Sequence, residues 1–175
     1  MRSIAAWLSL HDSEIRKELM KREPETLLPS GDPGSLPIEI RTELLKHFIE
    51  LYSEGTSRGI NIPLSQVAKL SHPELKPAIE HFWSKGYRND DVRELLLEII
   101  WTRKIQGCST LLKEAIYDQL IPVEVRLIAL KAVDATGDIA LLNSIIDDII
   151  HQPSLWPDKF ISYFSEEFPP FYFNT

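Results

Sequence analysis

VRELLLEIIWTRKIQGCSTLLKEAIYDQLIPVEVRLIALKAVDATGDIALLNSIIDDII, residues 92–150, carries one helical pattern written twice. Val92-Arg93 opens the first apolar run and Val125-Arg126 opens the second, 33 residues later. That offset falls within the roughly 20 to 50 residue periods of repeat architectures. The second copy is the cleaner. Pro122 has its φ preset for a first helical turn and lacks the N–H that would be orphaned there, and Glu124 complements the positive end of the helix dipole. Val125, Ile128, Ala129, Ala132 and Val133 then recur at three and four residue steps, which predicts one buried stripe. Gly137 is the expected left-handed cap, and Asp138 the expected N-cap of a next helix over 139–150. That helix places Leu142, Ile145, Ile146 and Ile149 on one side and Asn143, Ser144, Asp147 and Asp148 on the other.

The preceding copy follows the same plan, with Asp90-Asp91-Val92-Arg93 at the start and Leu96, Ile99 and Ile100 inward. After a break at Gly107 come Leu111, Leu112, Ala115 and Ile116. Each helix pair leaves an apolar face that only a neighbouring pair can cover, so the stack is the expected unit of stability. The segment VRLIALKAVDATGDIALLNSII, preceded by a short helix ending at Asp118, resembles a HEAT-type α-helical repeat, whose second helix begins with a Val-Arg pair. The resemblance implies a side-chain ladder between successive repeats, carried here by Arg93, Asp118 and Arg126. Lys85 stands in the earlier copy where Asp118 stands in the later one.

Working outward toward the N-terminus, Ile4 to Leu10 reads as a short helix with its Ala-Trp-Leu core inward. Asp12 caps the next helix, in which Ile15 and Leu19 form the buried line and Arg16 takes the place of the later arginines. Pro24 begins a further turn through Leu28, followed by a connector, Pro29 to Gly34, rich in turn formers. Its glycines lack a following Gly-Lys-Ser/Thr, so a plain connector is favoured over an anion nest. Pro37 opens an amphipathic helix with Ile40, Leu44, Leu45, Phe48, Leu51 and Tyr52. Residues 54–63 read as a loop, Leu64 to Leu70 as a short helix, and Glu74 to Lys85 as a helix with Leu75, Ile79, Phe82 and Trp83 inward, ended by Gly86.

The expected fold class is therefore all-α: an α-solenoid of HEAT-like hairpins forming one helical-repeat domain over 1–175. Irregular helices occupy 1–86, regular repeats 87–152, and an aromatic C-terminal helix or cap 153–175. Eight aromatic residues lie between Trp156 and Phe173. Two readings of that tail stay open. In one, a terminal helix starting at Pro157-Asp158 and ended by Pro169-Pro170 folds its rings over the last hairpin. In the other, the chain is cut where a further repeat begins. Trp156, Phe160, Phe164, Phe171 and Tyr172 are the candidate docking surface.

Composition narrows the chemistry. A net charge of −7 over 175 residues, with six Lys or Arg against eleven Asp or Glu in residues 89–151, opposes approach to nucleic acid or an anionic lipid surface. A lone cysteine, Cys108, allows no internal disulfide, fits a reducing cytoplasm and reads as a small filler between helices. No apolar run of about 18 residues exists, so no membrane span is expected. The opening MRSIAAWLSLHDSE has too short and Ser-broken an apolar stretch for a signal peptide. His11, His47, His72, His81 and His151 form no pair at metal-binding spacing. Glu43/His47 and Glu80-His81 are read as solvated helix faces, and no catalytic residue, metal or cofactor is expected.

Taken together, HDSEIRKELMKREPETLL, GDPGSLPIEIRTELLKHF, LSHPELKPAIEHFW, DDVRELLLEII and PVEVRLIALKAVDATGD are similar in order and spacing to the helical region that follows the NTPase module in bacterial NACHT/STAND proteins. The resemblance covers roughly residues 4–150. It implies a non-catalytic scaffold, arm or sensor within a cytoplasmic signal-transducing ATPase, many of which are attributed to antiviral defence against phage, acting through protein contacts. No Gly-x-x-x-x-Gly-Lys-Ser/Thr loop is present, so the chain alone is expected neither to bind nor to hydrolyse ATP. The alternative is a free-standing HEAT-like enzyme, DNA glycosylase-like or bilin lyase-like. The first would need a basic groove and the second a positioned cysteine or acid.

Overall fold

The computed structural model describes residues 2–23, 26, 27, 32–53 and 62–167, and every regular element among them is helical. The α-helices run α1 Arg2–Leu8, α2 Ser13–Arg22, α3 Ile38–Tyr52, α4 Leu64–Leu70, α5 Lys76–Ser84, α6 Asp90–Arg103, α7 Ser109–Tyr117, α8 Val123–Thr136, α9 Ile139–His151 and α10 Asp158–Glu167. Short 3₁₀ turns at Pro33–Ser35, Pro73–Leu75 and Pro153–Leu155 lead into α3, α5 and α10. None of the helices among the described residues is long and apolar enough to cross a membrane.

Local chemistry sets the helix ends. Asp12 accepts from the backbone N–H groups of Glu14 and Ile15 at 2.8 and 3.1 Å, and Asp138 accepts from that of Leu141 at 3.1 Å. Asn89 caps α6 by accepting from Asp91 N–H at 2.9 Å. Each supplies an acceptor to donors that have no partner in the first turn. Gly137 ends α8 at φ +69°. Lys104, 33 residues earlier in the sequence, ends α6 in the same left-handed region at φ 51° and is the one non-glycine residue with positive φ among those described. A Cβ there crowds the backbone, which glycine avoids. Lys104→Gly is expected to stabilise the protein by about 1 kcal/mol, and Gly137→Lys to destabilise it by about as much. Urea denaturation of the two single variants and their double reads both signs.

Two helices form the centre. α6 packs most extensively against α8; α4, α3 and α5 also pack on α6, and α7, α9 and α10 pack on α8. Their burial extends around more than one face. In α6 it covers Val92, Leu95, Leu96, Leu97, Ile99 and Ile100, and in α8 Val125, Ala129, Leu130, Ala132 and Val133. The alanines of α8 let the two axes come close, since interaxial distance follows side-chain size at the contact. The buried apolar residues form one continuous cluster from Ala6 to Phe164.

Polar links between neighbouring helices recur at nearly constant separation. Ser71 Oγ meets Thr102 Oγ1 at 2.9 Å, Trp83 Nε1 donates to Glu114 Oε2 at 3.2 Å, Gln106 Nε2 donates to Thr136 O at 3.0 Å, and Tyr117 OH bonds Asp148. Their sequence separations are 31, 31, 30 and 31 residues. Arginines meanwhile close helix ends: Arg16 reaches Ser9 O at 2.9 Å, Arg103 Ser71 O at 3.1 Å and Arg126 Ile116 O at 2.8 Å. Carbonyls at or just past helix ends lack helical donors, and a guanidinium placed nearby supplies them.

Three expectations about inward faces need correction. In α1 Ala6 is fully buried, while Trp7 is 59% exposed with its ring edge against His11. The principal neighbour of this seven-residue helix is α2. In α2 Met20 is the buried residue, with Ile15 and Leu19 half-buried. In α3 the inward line turns through Ile49 rather than Leu51, which faces solvent. The expected turn at Pro24, Glu25 and Leu28, half of the connector 29–34 and most of the loop 54–63 lie outside the described residues, as do Pro169-Pro170.

Candidate functional site

A groove of about 780 Å³ lies between α5, the start of α6 and α7. Helix α5 contributes Glu80, Phe82 and Trp83; the turn into α6 contributes Tyr87; α6 contributes Arg93; the N-cap of α7 contributes Cys108, α7 itself Glu114, and the turn after it Asp118. Trp83 stands at the groove because Ile79 and Phe82 occupy the core side of α5, leaving the next position at the edge. The indole N–H to Glu114 bond then ties α5 to α7. Arg93 pairs with Asp90 of its own helix at 3.3 Å, and Lys76 with Glu80 at 3.6 Å. Asp118 Oδ1 accepts from Leu120 N–H at 2.9 Å, closing the turn between α7 and α8.

Cys108 lies 3% exposed at this groove. Burial pushes its thiol pKa up and Glu80 adds to the rise, outweighing the opposing pull of Lys76. The protonated thiol is a poor nucleophile. A base-excision groove would need cationic walls, whereas Glu80, Glu114 and Asp118 line this one.

Arg93 and Asp118 thus share the groove, but the expected carboxylate–guanidinium ladder is not what holds these residues. Among the described residues neither Arg93 nor Arg126 forms an ion pair with Asp118. Arg126 sits 5% exposed on a second, smaller pocket of about 210 Å³, with its guanidinium 4.9 Å above the Phe160 ring. Burial lowers its pKa, while the field of Asp118 opposes the drop from a distance. The backbone carbonyl of Ile116 replaces the carboxylate because it lies at the end of the helix that α8 packs on.

The aromatic docking surface is corrected in the same place. Trp156, Phe160 and Phe164 are 8%, 0% and 3% exposed, so they are core, whereas Phe171 and Tyr172 lie outside the described residues. Trp156 meets Tyr117 edge-on at 5.3 Å and Phe160 at 5.4 Å. Partial burial, together with its hydrogen bond to Asp148, drives the Tyr117 hydroxyl pKa well above the usual tyrosine range. Helix α10 turns its aromatic stripe onto α8 because its other face, with Asp158, Lys159 and Glu166, is charged. Lys159 bonds Glu124 of α8 across this contact, which holds the Glu124 carboxyl below its ordinary range.

Asp90, Glu94 and Glu98 recur every four residues along α6. Burial, with the charges of Asp91 and Asp90, raises Glu94; burial, with the charge of Glu94, raises Glu98 to about 7. Between the ordinary value of 4.5 and about 7 the folded chain holds a proton on Glu98 that the unfolded chain has released, so stability falls as pH rises through that window. Glu98→Gln is expected to stabilise the protein at pH 8 by about 1 kcal/mol after discounting for partial exposure, with the gain vanishing near pH 4.5. Thermal melts of both proteins across that range check it.

The histidines stay apart. His47 lies 3.8 Å from both Glu43 and Glu50 on a solvated face, and His72 accepts from Glu74 N–H at 3.3 Å. Among the described residues no three His, Cys, Asp or Glu converge as a metal site would require. Trp83, Tyr87, Glu80 and Glu114 were not legible as one site, although Trp83 and Glu114 share the 31-residue separation of Tyr117 and Asp148. Comparison with protein families, with curated proteins and with solved structures returns no match.

Proposed function

We propose that the chain is a non-catalytic protein-docking scaffold: a short α-solenoid of HEAT-like hairpins serving as arm or sensor of a cytoplasmic bacterial STAND-type NTPase in antiviral defence. The observation that carries the solenoid reading is the recurrence of polar links between segments at separations of 29 to 32 residues, from Ser71 to Asp148. Equivalent contacts at one period are what stacked hairpins produce. The NTPase context rests on the resemblance in helix order and spacing alone.

In this reading the stack binds one state of the NTPase, or of its protein ligand, better than the other, and that difference shifts the population between them. Work is done by differential contact, with Arg126 tying α8 to the end of α7. The test is biochemical. The purified chain is expected to show no ATP binding or turnover, and to form a complex with an NTPase module encoded in the same reading frame or beside it, with an affinity that differs between ADP and ATP. ATP turnover by the chain alone, or nucleotide-independent failure to associate, would overturn the proposal.

A further inference from the structure

We infer that the groove between α5, α6 and α7 is a receptor for an arginine or lysine side chain presented on a segment of a partner protein, an inference that deepens the docking role proposed above. Two independent features select the same charge. Carboxylates from separate segments, Glu80 of α5, Glu114 of α7 and Asp118 of the following turn, line one space of about 780 Å³. The cation lining that space, Arg93, is already held by Asp90, and nearby Lys76 by Glu80. The rings of Trp83 and Tyr87 stand at the same groove, half-buried, and an aromatic face attracts a cation through its quadrupole.

Acceptor capacity remains after the internal bonds are made. Glu114 uses Oε2 for Trp83 and Asp118 uses Oδ1 for Leu120. Glu114 Oε1 and Asp118 Oδ2 have no partner among the described residues and can accept from an incoming guanidinium or ammonium. The groove exceeds the volume of one side chain, and Val92, Leu96 and Leu111 line the remainder, which fits apolar neighbours on the same segment. A second copy of this chain is disfavoured as occupant by its own net charge of −7.

The experiment titrates the full chain with a capped peptide of alternating leucine and arginine, following tryptophan fluorescence and calorimetric heat. Parallel titrations use the same peptide with citrulline, the neutral isostere of arginine, with glutamate in place of arginine, and arginine amide alone. The arginine peptide is expected to bind at least about tenfold more tightly than the citrulline peptide, with a strong salt dependence. Glu114→Gln and Asp118→Asn keep the internal acceptors, so their folds should be intact by circular dichroism. Each is expected to weaken binding about fivefold. Equal affinity for arginine and citrulline peptides, no binding of the arginine peptide, or undiminished binding by the double variant would each sink the inference. Arginine amide binding as tightly as the peptide would make the occupant a small molecule and overturn the partner-segment assignment. If the peptide binds but the NTPase does not, the STAND reading falls and the cation receptor stands; the reverse result removes the receptor alone.

Discussion

Phe160→Ala is expected to destabilise the protein by about 3–5 kcal/mol, the range for deleting a fully buried ring. At roughly 2–4 °C per kcal/mol for a chain of this size, the melting temperature should fall by on the order of 10 °C. Phe160 is 0% exposed, lies beneath the Arg126 guanidinium and touches Trp156, so removing it opens a void between α8 and α10 that its neighbours cannot fill without shifting. Phe160→Leu retains most of the volume and should cost about 1–2 kcal/mol. Thermal and urea unfolding followed by circular dichroism decide the matter. A cost below about 1 kcal/mol for the alanine variant would mean that α10 is a loosely attached end rather than the cover of the core.

Arg126→Ala is the second large effect, at about 3 kcal/mol, and its causes separate by choice of substitution. Alanine removes the bond to Ile116 O, the attraction to the Phe160 ring and the packing of the aliphatic stem. Arg126→Met keeps the volume and removes only the donor and the charge. It should cost less, about 1–2 kcal/mol, because shedding a desolvated charge offsets part of the loss. A double-mutant cycle with Phe160→Leu is expected to show coupling of about 1 kcal/mol, and additivity would leave the ring contact without energetic weight. The partial exposure of the Asp118 turn makes Asp118→Asn nearly neutral by comparison, in keeping with a turn acceptor rather than a ladder member.

These two residues show why the candidate site was only partly legible. Arg126 drew attention through its Val-Arg context, but its partner proved to be a backbone carbonyl, which carries no signature in the identity of residue 116. The groove has residues on three elements, and only Arg93 and Asp118 stood out from the pattern. Trp83 resembled an ordinary core aromatic, since a ring at a groove edge and a ring in a core share the same helical spacing. Trp7 and Trp156 make the comparison direct. Both have leucine beside them, yet Trp7 is 59% exposed on a helix backed mainly by α2, and Trp156 is 8% exposed beneath Tyr117 and Phe160.

Sequence alone determined most helices and several of their ends, because capping and periodicity are local: Asp12 and Asp138 carry their own acceptors, Gly137 tolerates its left-handed turn, and the apolar spacing of α6, α8 and α9 states which positions avoid water. Helices α1 and α5, by contrast, span Arg2–Leu8 and Lys76–Ser84 rather than the expected Ile4 to Leu10 and Glu74 to Lys85. Only the tertiary structure decided which helices are covered on several sides, that the aromatic stripe of α10 faces α8, and that Glu80, Glu114 and Asp118 share one groove. The reason is that an apolar face specifies a need for burial, whereas the surface that meets it comes from residues about 30 positions away whose approach no local pattern encodes.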